Sequence, residues 1–198
     1  DQKTTNTCWA FATIGSLESN LGLQDYKNSR TARTYDFSER HMDYSSAYAA
    51  FLDSKTNNYG YNRTLSAGGN FFYALSYLTN GMGVVDESEM PFEDNQNNID
   101  ISGIQNKIVS ATVLDTKEFG KATTDEQKES LKSEMKEYIS NYGGIYAGIY
   151  ADTDYTSSSS ANINIITGAM YSTGKTMNHA ICIIGWDDNY SKDNFNTK

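Results

Sequence analysis

The sequence predicts an α+β chain, helical in its first part and β-rich in its second. Three observations carry this. Apolar residues recur at helical spacing through residues 1–100. Apolar runs rich in Val and Ile appear only over residues 101–198. Helical and strand patterns are segregated rather than alternating, which favours two lobes over a parallel βαβ layout. At 198 residues the chain is long enough for one domain with a core, here divided into a helical lobe over 1–100 and a β-rich lobe over 101–198.

The first helix is expected to begin near Cys8. Ala10, Ile14, Leu17 and Leu21 follow its apolar stripe, Asn6 or Thr7 serves as its cap, and Gly22 ends it. A second helix starts at Ser38, with Glu39 favourable to the dipole in its first turn. A third covers about Asn70 to Thr79, with Phe71, Leu75 and Leu78 facing inward and Gly81 as its stop. Residues 107–114 read as β-rich. Thr124 to Tyr142 is the clearest helix: Thr124 and Gln127 fit a capping box, Leu131, Met135, Tyr138 and Tyr142 form a stripe, and Gly143-Gly144 ends it. Ile145 to Tyr150 then reads as a buried strand, residues 153–161 as a serine-rich loop, and Ile181 to Trp186 as an apolar strand with His179 just before it.

A net charge of -9 argues against sequence-independent nucleic-acid binding, which depends on clustered Lys and Arg. No apolar run approaches the roughly 20 residues of a membrane-spanning helix. The two cysteines and two histidines fall in no zinc-ligand spacing, so no metal is expected. Asp187-Asp188 reads as a solvated turn, and His41, on a polar helix, as a surface residue.

Two short segments carry the chemistry. Cys8-Trp9-Ala10-Phe11-Ala12 lies near the start, Asn178-His179-Ala180 lies near the end, and Gln2 stands six residues before Cys8. A thiol must be a thiolate to attack a carbonyl, and a helix N-terminus or a nearby imidazolium favours that form. Cys8 in a first helical turn lies beside backbone N–H groups that precede the helical ladder, and these can receive a negatively charged oxygen. Gln2 offers a side-chain donor for the same oxygen. His179 at a strand edge would be held as rigidly as a general base requires. Without these companions Cys8 would read as a small buried hydrophobe; Cys182, inside an apolar strand, reads as just that.

The blocks DQ-x5-CWAFA, Phe37-Ser38-Glu39, Gly68-Gly69, Pro91-Phe92-Glu93 and NHAICIIGW, in this order, resemble the papain-like cysteine peptidases. The run GWDDNYSKDNF resembles bacterial cell-surface members, clostridial ones included, which implies a secreted or cell-surface protein. The resemblance implies a two-lobed fold with the active site in the cleft between the lobes. It implies Cys8 as nucleophile, His179 as general base and acid, and Gln2 as the oxyanion-hole glutamine. It further implies Gly68 and Gly69 as the pair whose backbone binds an extended polypeptide substrate, and Ala180 as a wall of the pocket for the second residue before the cut. Asn178, beside His179, is placed with the substrate-binding residues. No cofactor is implied. A propeptide inhibitor is.

This sequence departs from the family in several places. The Asn-Ser-Trp-Gly block that follows the histidine is missing; Asn189, Asn194 and Asn196 come after His179, but none precedes Ser-Trp-Gly. The disulfide near the nucleophile has no counterpart, and Lys3 stands where a Gly usually follows the glutamine. The domain is therefore expected to be incomplete at both ends, with the third catalytic Asn beyond Lys198. Two alternatives stand beside a cysteine endopeptidase: a catalytically silent adhesion or binding module, and a thiol transpeptidase sharing the same acyl-enzyme.

Overall fold

The computed structural model describes residues 1–47, 61, 63, 67–79, 84–92, 122–151, 163–171 and 176–196. The expected β segment at 107–114, the stop at Gly81 and the serine-rich loop at 153–161 lie outside them. Helices α1 (Cys8–Ser29), α2 (Glu39–Ser45), α3 (Phe71–Thr79) and α4 (Asp125–Tyr142) precede and flank two strands, β1 (Ile145–Ile149) and β2 (His179–Ile183). The strands pair antiparallel, with Tyr146 opposite Cys182, Gly148 opposite Ala180 and Ile149 opposite His179. This is an α+β arrangement, helical in its N-terminal part.

The core forms around the first half of α1. Trp9, Ala10, Ala12 and Ile14 join Phe37, Met42, Ala74, Tyr77, Val84 and Ala180 in one cluster, with Cys8, Leu17, Leu21 and Tyr146 packed against it. The predicted α1 stripe is therefore the core face. Gly22 does not end the helix, which continues to Ser29 and closes with Arg30 in a left-handed conformation, its N–H bonded to Tyr26 O. The reason lies in α4. Its last carbonyls lack helical partners, and α1 supplies them: Lys27 Nζ donates to Asn141 O at 2.7 Å and Asn20 Nδ2 to Tyr142 O at 2.6 Å. Ser16 Oγ and Ser19 Oγ complete the joint by bonding the carbonyl and N–H of Gly144. Gly143 has φ 91°, and a Cβ there would come 2.8 Å from the Ser19 backbone, so glycine is required on both counts.

Ser38 caps α2 as expected. Its hydroxyl accepts from His41 N and donates to Met90 O. Thr124 and Gln127 form the full capping box of α4. Of the α4 stripe only Leu131 is buried, and Tyr142 is exposed. In α3 the deepest residues are Ala74 and Tyr77 rather than Phe71, Leu75 and Leu78. Tyr77 can go inside because its hydroxyl finds His41 Nδ1 at 2.7 Å. That bond also corrects the expectation for His41, which is buried, not a surface residue. The apolar run after His179 leaves the ladder early: Ile184 is 77% and Trp186 49% exposed.

Glu39 shares its neighbourhood with Glu87 and Glu18. Burial, then the charges of Glu87 and Glu18, push its carboxyl up to about 7 against an opposing backbone hydrogen bond. Burial likewise raises Glu18, which accepts from Phe37 N at 2.7 Å, and Glu87, which accepts from Phe92 N at 2.6 Å. Because the folded state holds the Glu39 proton more tightly, stability is full below the ordinary carboxylate range and is lost as pH rises through about 7. The melting temperature is expected to fall between about pH 5 and about pH 8, a loss on the order of 1–2 kcal/mol after solvent screening. Glu39→Gln should lessen that slope, with buried Asp43, raised to about 6, and Glu18 and Glu87 carrying the rest. A wild-type curve rising over the same interval contradicts this account.

Candidate active site

Cys8 is the first residue of α1, and Thr7 occupies the N-cap. Thr7 does not cap: its hydroxyl lies 2.6 Å from that of Thr5 and makes no bond to the first-turn N–H groups. By contrast α2, α3 and α4 receive side-chain caps from Ser38, Asn70 and Thr124. Ala10 N and Phe11 N already bond to Thr7 O, so the helical ladder begins just past Cys8 and Trp9.

Gln2 lies in a tight turn before the helix. Thr5 N and Thr5 Oγ1 both donate to Gln2 O, and Gln2 Nε2 donates to Thr5 O at 3.3 Å. One of its two amide hydrogens is thus committed to its own turn. Lys3 inside that turn has φ 50°, the left-handed region that favours glycine, which explains physically why a Gly suits this position better.

His179 opens β2. Strand β2 lies against α1, where the Cβ of Cys182 is 3.7 Å from the Cβ that a side chain at Gly15 would carry. From Gly15 back to Cys8 the helix runs about 10 Å, and from Cys182 back to His179 the strand runs about 10 Å. Ala180 belongs to the same buried cluster as Trp9 and Ala10. Neither the Cys8 thiol nor the His179 ring makes a side-chain hydrogen bond to a described residue; such bonds in ligand-free sites often tighten only around substrate. Tyr146, opposite Cys182 on β1, is pushed above the ordinary tyrosine value by burial first and by the negative charge of deprotonated Cys8 second, which places it beside the thiol. No sequence signal marked it.

Asn178 has a structural assignment that the sequence did not suggest. Its Oδ1 accepts from Ala151 N at 2.7 Å and its Nδ2 donates to Ala151 O at 2.8 Å, while its own N–H bonds Ile149 O. Its amide braces the entry to β2 and so fixes the residue before His179. Ala180 is buried in the core cluster. Gly68 has φ 76° and Gly69 lies flat on the indole of Trp9, where a Cβ would come 2.3 Å from the ring. Both glycines therefore sit against the helix start that carries Cys8.

Cys8 and Cys182 are free thiols. Burial, with the charge of Glu18 adding to it, pushes the Cys182 thiol up, as suits an unreactive packed cysteine. Asp187 Oδ1 accepts from Asn189 N and Asp188 pairs with Lys136, which fits the turn reading of the acidic pair. Asn196 Nδ2 is bonded to Ile163 O. No group of three or more His, Cys, Asp or Glu able to hold a metal occurs among the described residues.

The whole chain, residues 1–198, matches the papain family cysteine proteases. Vinckepain-1 of Plasmodium vinckei is 34% identical over 96 residues, which cover 48% of this chain and 15% of that protein. Two structures of Cwp84 superpose on 98% of the chain. The clostridial cysteine protease after propeptide cleavage does so with TM-score 0.65, at 24% identity and over 42% of its own length. The cysteine protease and lectin-like domains of Cwp84, a surface layer associated protein of Clostridium difficile, do so with TM-score 0.66, at 25% identity and over 37% of their length. The chain thus spans less than half of each of these proteins.

Proposed function

Since this chain belongs to the papain family of cysteine proteases, we propose that it cleaves internal peptide bonds of extended polypeptides, with Cys8 as nucleophile and His179 as general base and acid. The observation that carries this is Cys8 at the head of α1, with β2, which His179 opens, packed against that helix. The Cys8 thiolate attacks the peptide carbonyl, and the oxygen takes up negative charge. The N–H of Cys8 and the remaining amide hydrogen of Gln2 receive it. His179 gives its proton to the leaving amine, and the carbon–nitrogen bond breaks to leave a thioester. His179 then takes a proton from water, whose oxygen releases the acid and regenerates the thiolate. The backbone of Gly68-Gly69 pairs with the substrate, and Ala180 borders the pocket for the second residue before the cut.

The helical lobe spans 1–100 and the β-rich lobe 101–198 in this reading, with the cleft between them. The likeness to a surface layer associated clostridial protease supports action outside the cell or at its surface, and the propeptide of that neighbour supports a propeptide inhibitor here. No described helix is long and apolar enough to cross a membrane.

Labelling with an epoxysuccinyl inhibitor of the papain class, read by peptide mass spectrometry, tests the reading. One adduct is expected, on Cys8, and it should disappear in His179→Ala. If Cys8 reacts no faster than Cys182 in the unfolded chain, the peptidase reading fails and a silent binding module replaces it.

A further inference from the structure

Arg63 is buried beside the glycine pair. Its segment is anchored by Tyr61, whose N–H bonds Ser46 O just past α2. Its guanidinium Nη2 donates to the Asp43 carboxylate, to Asp43 O and to Ser46 Oγ, while Nη1 reaches Gly68 O at 3.4 Å. The same guanidinium lies 5.0 Å from the centre of the Trp9 ring and 5.8 Å from that of Tyr73. The side chains of Arg63 and Asp43 are 4% and 6% exposed.

We propose that Arg63, held by Asp43, is a positioning residue that clamps the Gly68-Gly69 backbone against Trp9 and so sets the substrate-pairing edge at its height beside Cys8. The clamp rests on the proteolytic reading only for its consequence. Three segments meet in one planar fork: the end of α2 through Asp43 and Ser46, the glycine pair through Gly68 O, and the start of α1 through the indole next to Cys8. A buried ion pair adds little net stability over apolar packing, whereas its directional bonds fix relative position. The fork is what allows it, since guanidinium donors diverge in one plane and also stack on a ring; an ammonium does neither. No disulfide ties these segments, because both cysteines are free. The close approach of Gly69 to the indole means that any shift of Trp9 moves the substrate edge with it.

The test uses Arg63→Lys, which keeps the charge opposite Asp43 but loses the fork, and Arg63→Met where it folds. Amide hydrogen exchange at Tyr73 and Ala74, whose N–H groups bond Asn70 O just after the glycine pair, should accelerate about 10-fold in Arg63→Lys, with α4 amides unchanged. KM for an extended peptide should rise about 10-fold with kcat within about 3-fold, while alkylation of Cys8 by iodoacetamide, which has no peptide backbone to pair, stays within about 2-fold. Unchanged exchange at Tyr73 and Ala74, or exchange and iodoacetamide reactivity shifting together across the whole chain, overturns the proposal. So does a faster exchange with unaltered KM. If the wild-type protein cleaves no peptide at all, the proteolytic reading is what fails, and the exchange comparison alone decides the clamp.

Discussion

Cys8→Ala is expected to lower kcat/KM for peptide hydrolysis by about 10⁴-fold or more, and His179→Ala by a similar factor. The two act on one proton-transfer and acyl-transfer event, so removing both should cost scarcely more than removing either. Such non-additivity separates a nucleophile–base pair from two residues that each support the fold. Cys8 is half-buried at the edge of the core, and loss of its sulfur should cost about 1 kcal/mol of stability, too little to unfold the chain. Cys182→Ala is the control. Its thiol packs between Gly15 and Gly144, and its loss should lower the melting temperature while leaving kcat/KM within about 3-fold. Hydrolysis surviving in Cys8→Ala, or a Cys8→Ala and His179→Ala double variant with multiplied losses, contradicts the assignment.

Gly69→Ala should be the most damaging single methyl in the helical part. The new Cβ would fall 2.3 Å, 2.5 Å and 2.6 Å from Trp9 Cε2, Nε1 and Cδ2. The indole cannot retreat. It is 1% exposed, meets Tyr73 edge-on at 6.2 Å and carries the Arg63 guanidinium at 5.0 Å. Overpacking of this kind costs about 3 kcal/mol. The neighbouring Gly68→Ala gives the comparison. Gly68 has φ 76°, but a Cβ there meets only Asn6, at an ordinary 3.6 Å. Its cost is conformational alone, about 1 kcal/mol. Urea unfolding of the two variants should therefore rank Gly69→Ala well below Gly68→Ala. Equal losses would mean that backbone conformation, not the indole, dictates glycine at both positions.

Much of this was legible along the chain. Helix starts at Ser38 and Thr124, the stop at Gly143-Gly144 and the strand at Ile145 are set by caps, glycine conformations and apolar period, all local within a few residues. The apolar face of α1 was legible for the same reason. Where partners lie far off in sequence, local pattern was silent. Gly22 looked like an end because glycine often is one, but residues beyond it bond the end of α4 more than 100 positions away. His41 looked polar and exposed because its partner, Tyr77, is supplied by another helix.

The sequence by itself singled out one thiol and one imidazole as the candidate pair, and set that thiol at the head of a helix. Residue type and local spacing suffice for that. Only the tertiary structure decided that the Thr7 side chain does not cap that helix, that Asn178 braces β2 through Ala151, and that a buried Arg63–Asp43 pair joins the glycine backbone to Trp9. These are matters of where groups meet after burial. A charge, an amide or an indole has a role there only through the partner that folding places against it, and such a partner leaves no periodic trace in the chain.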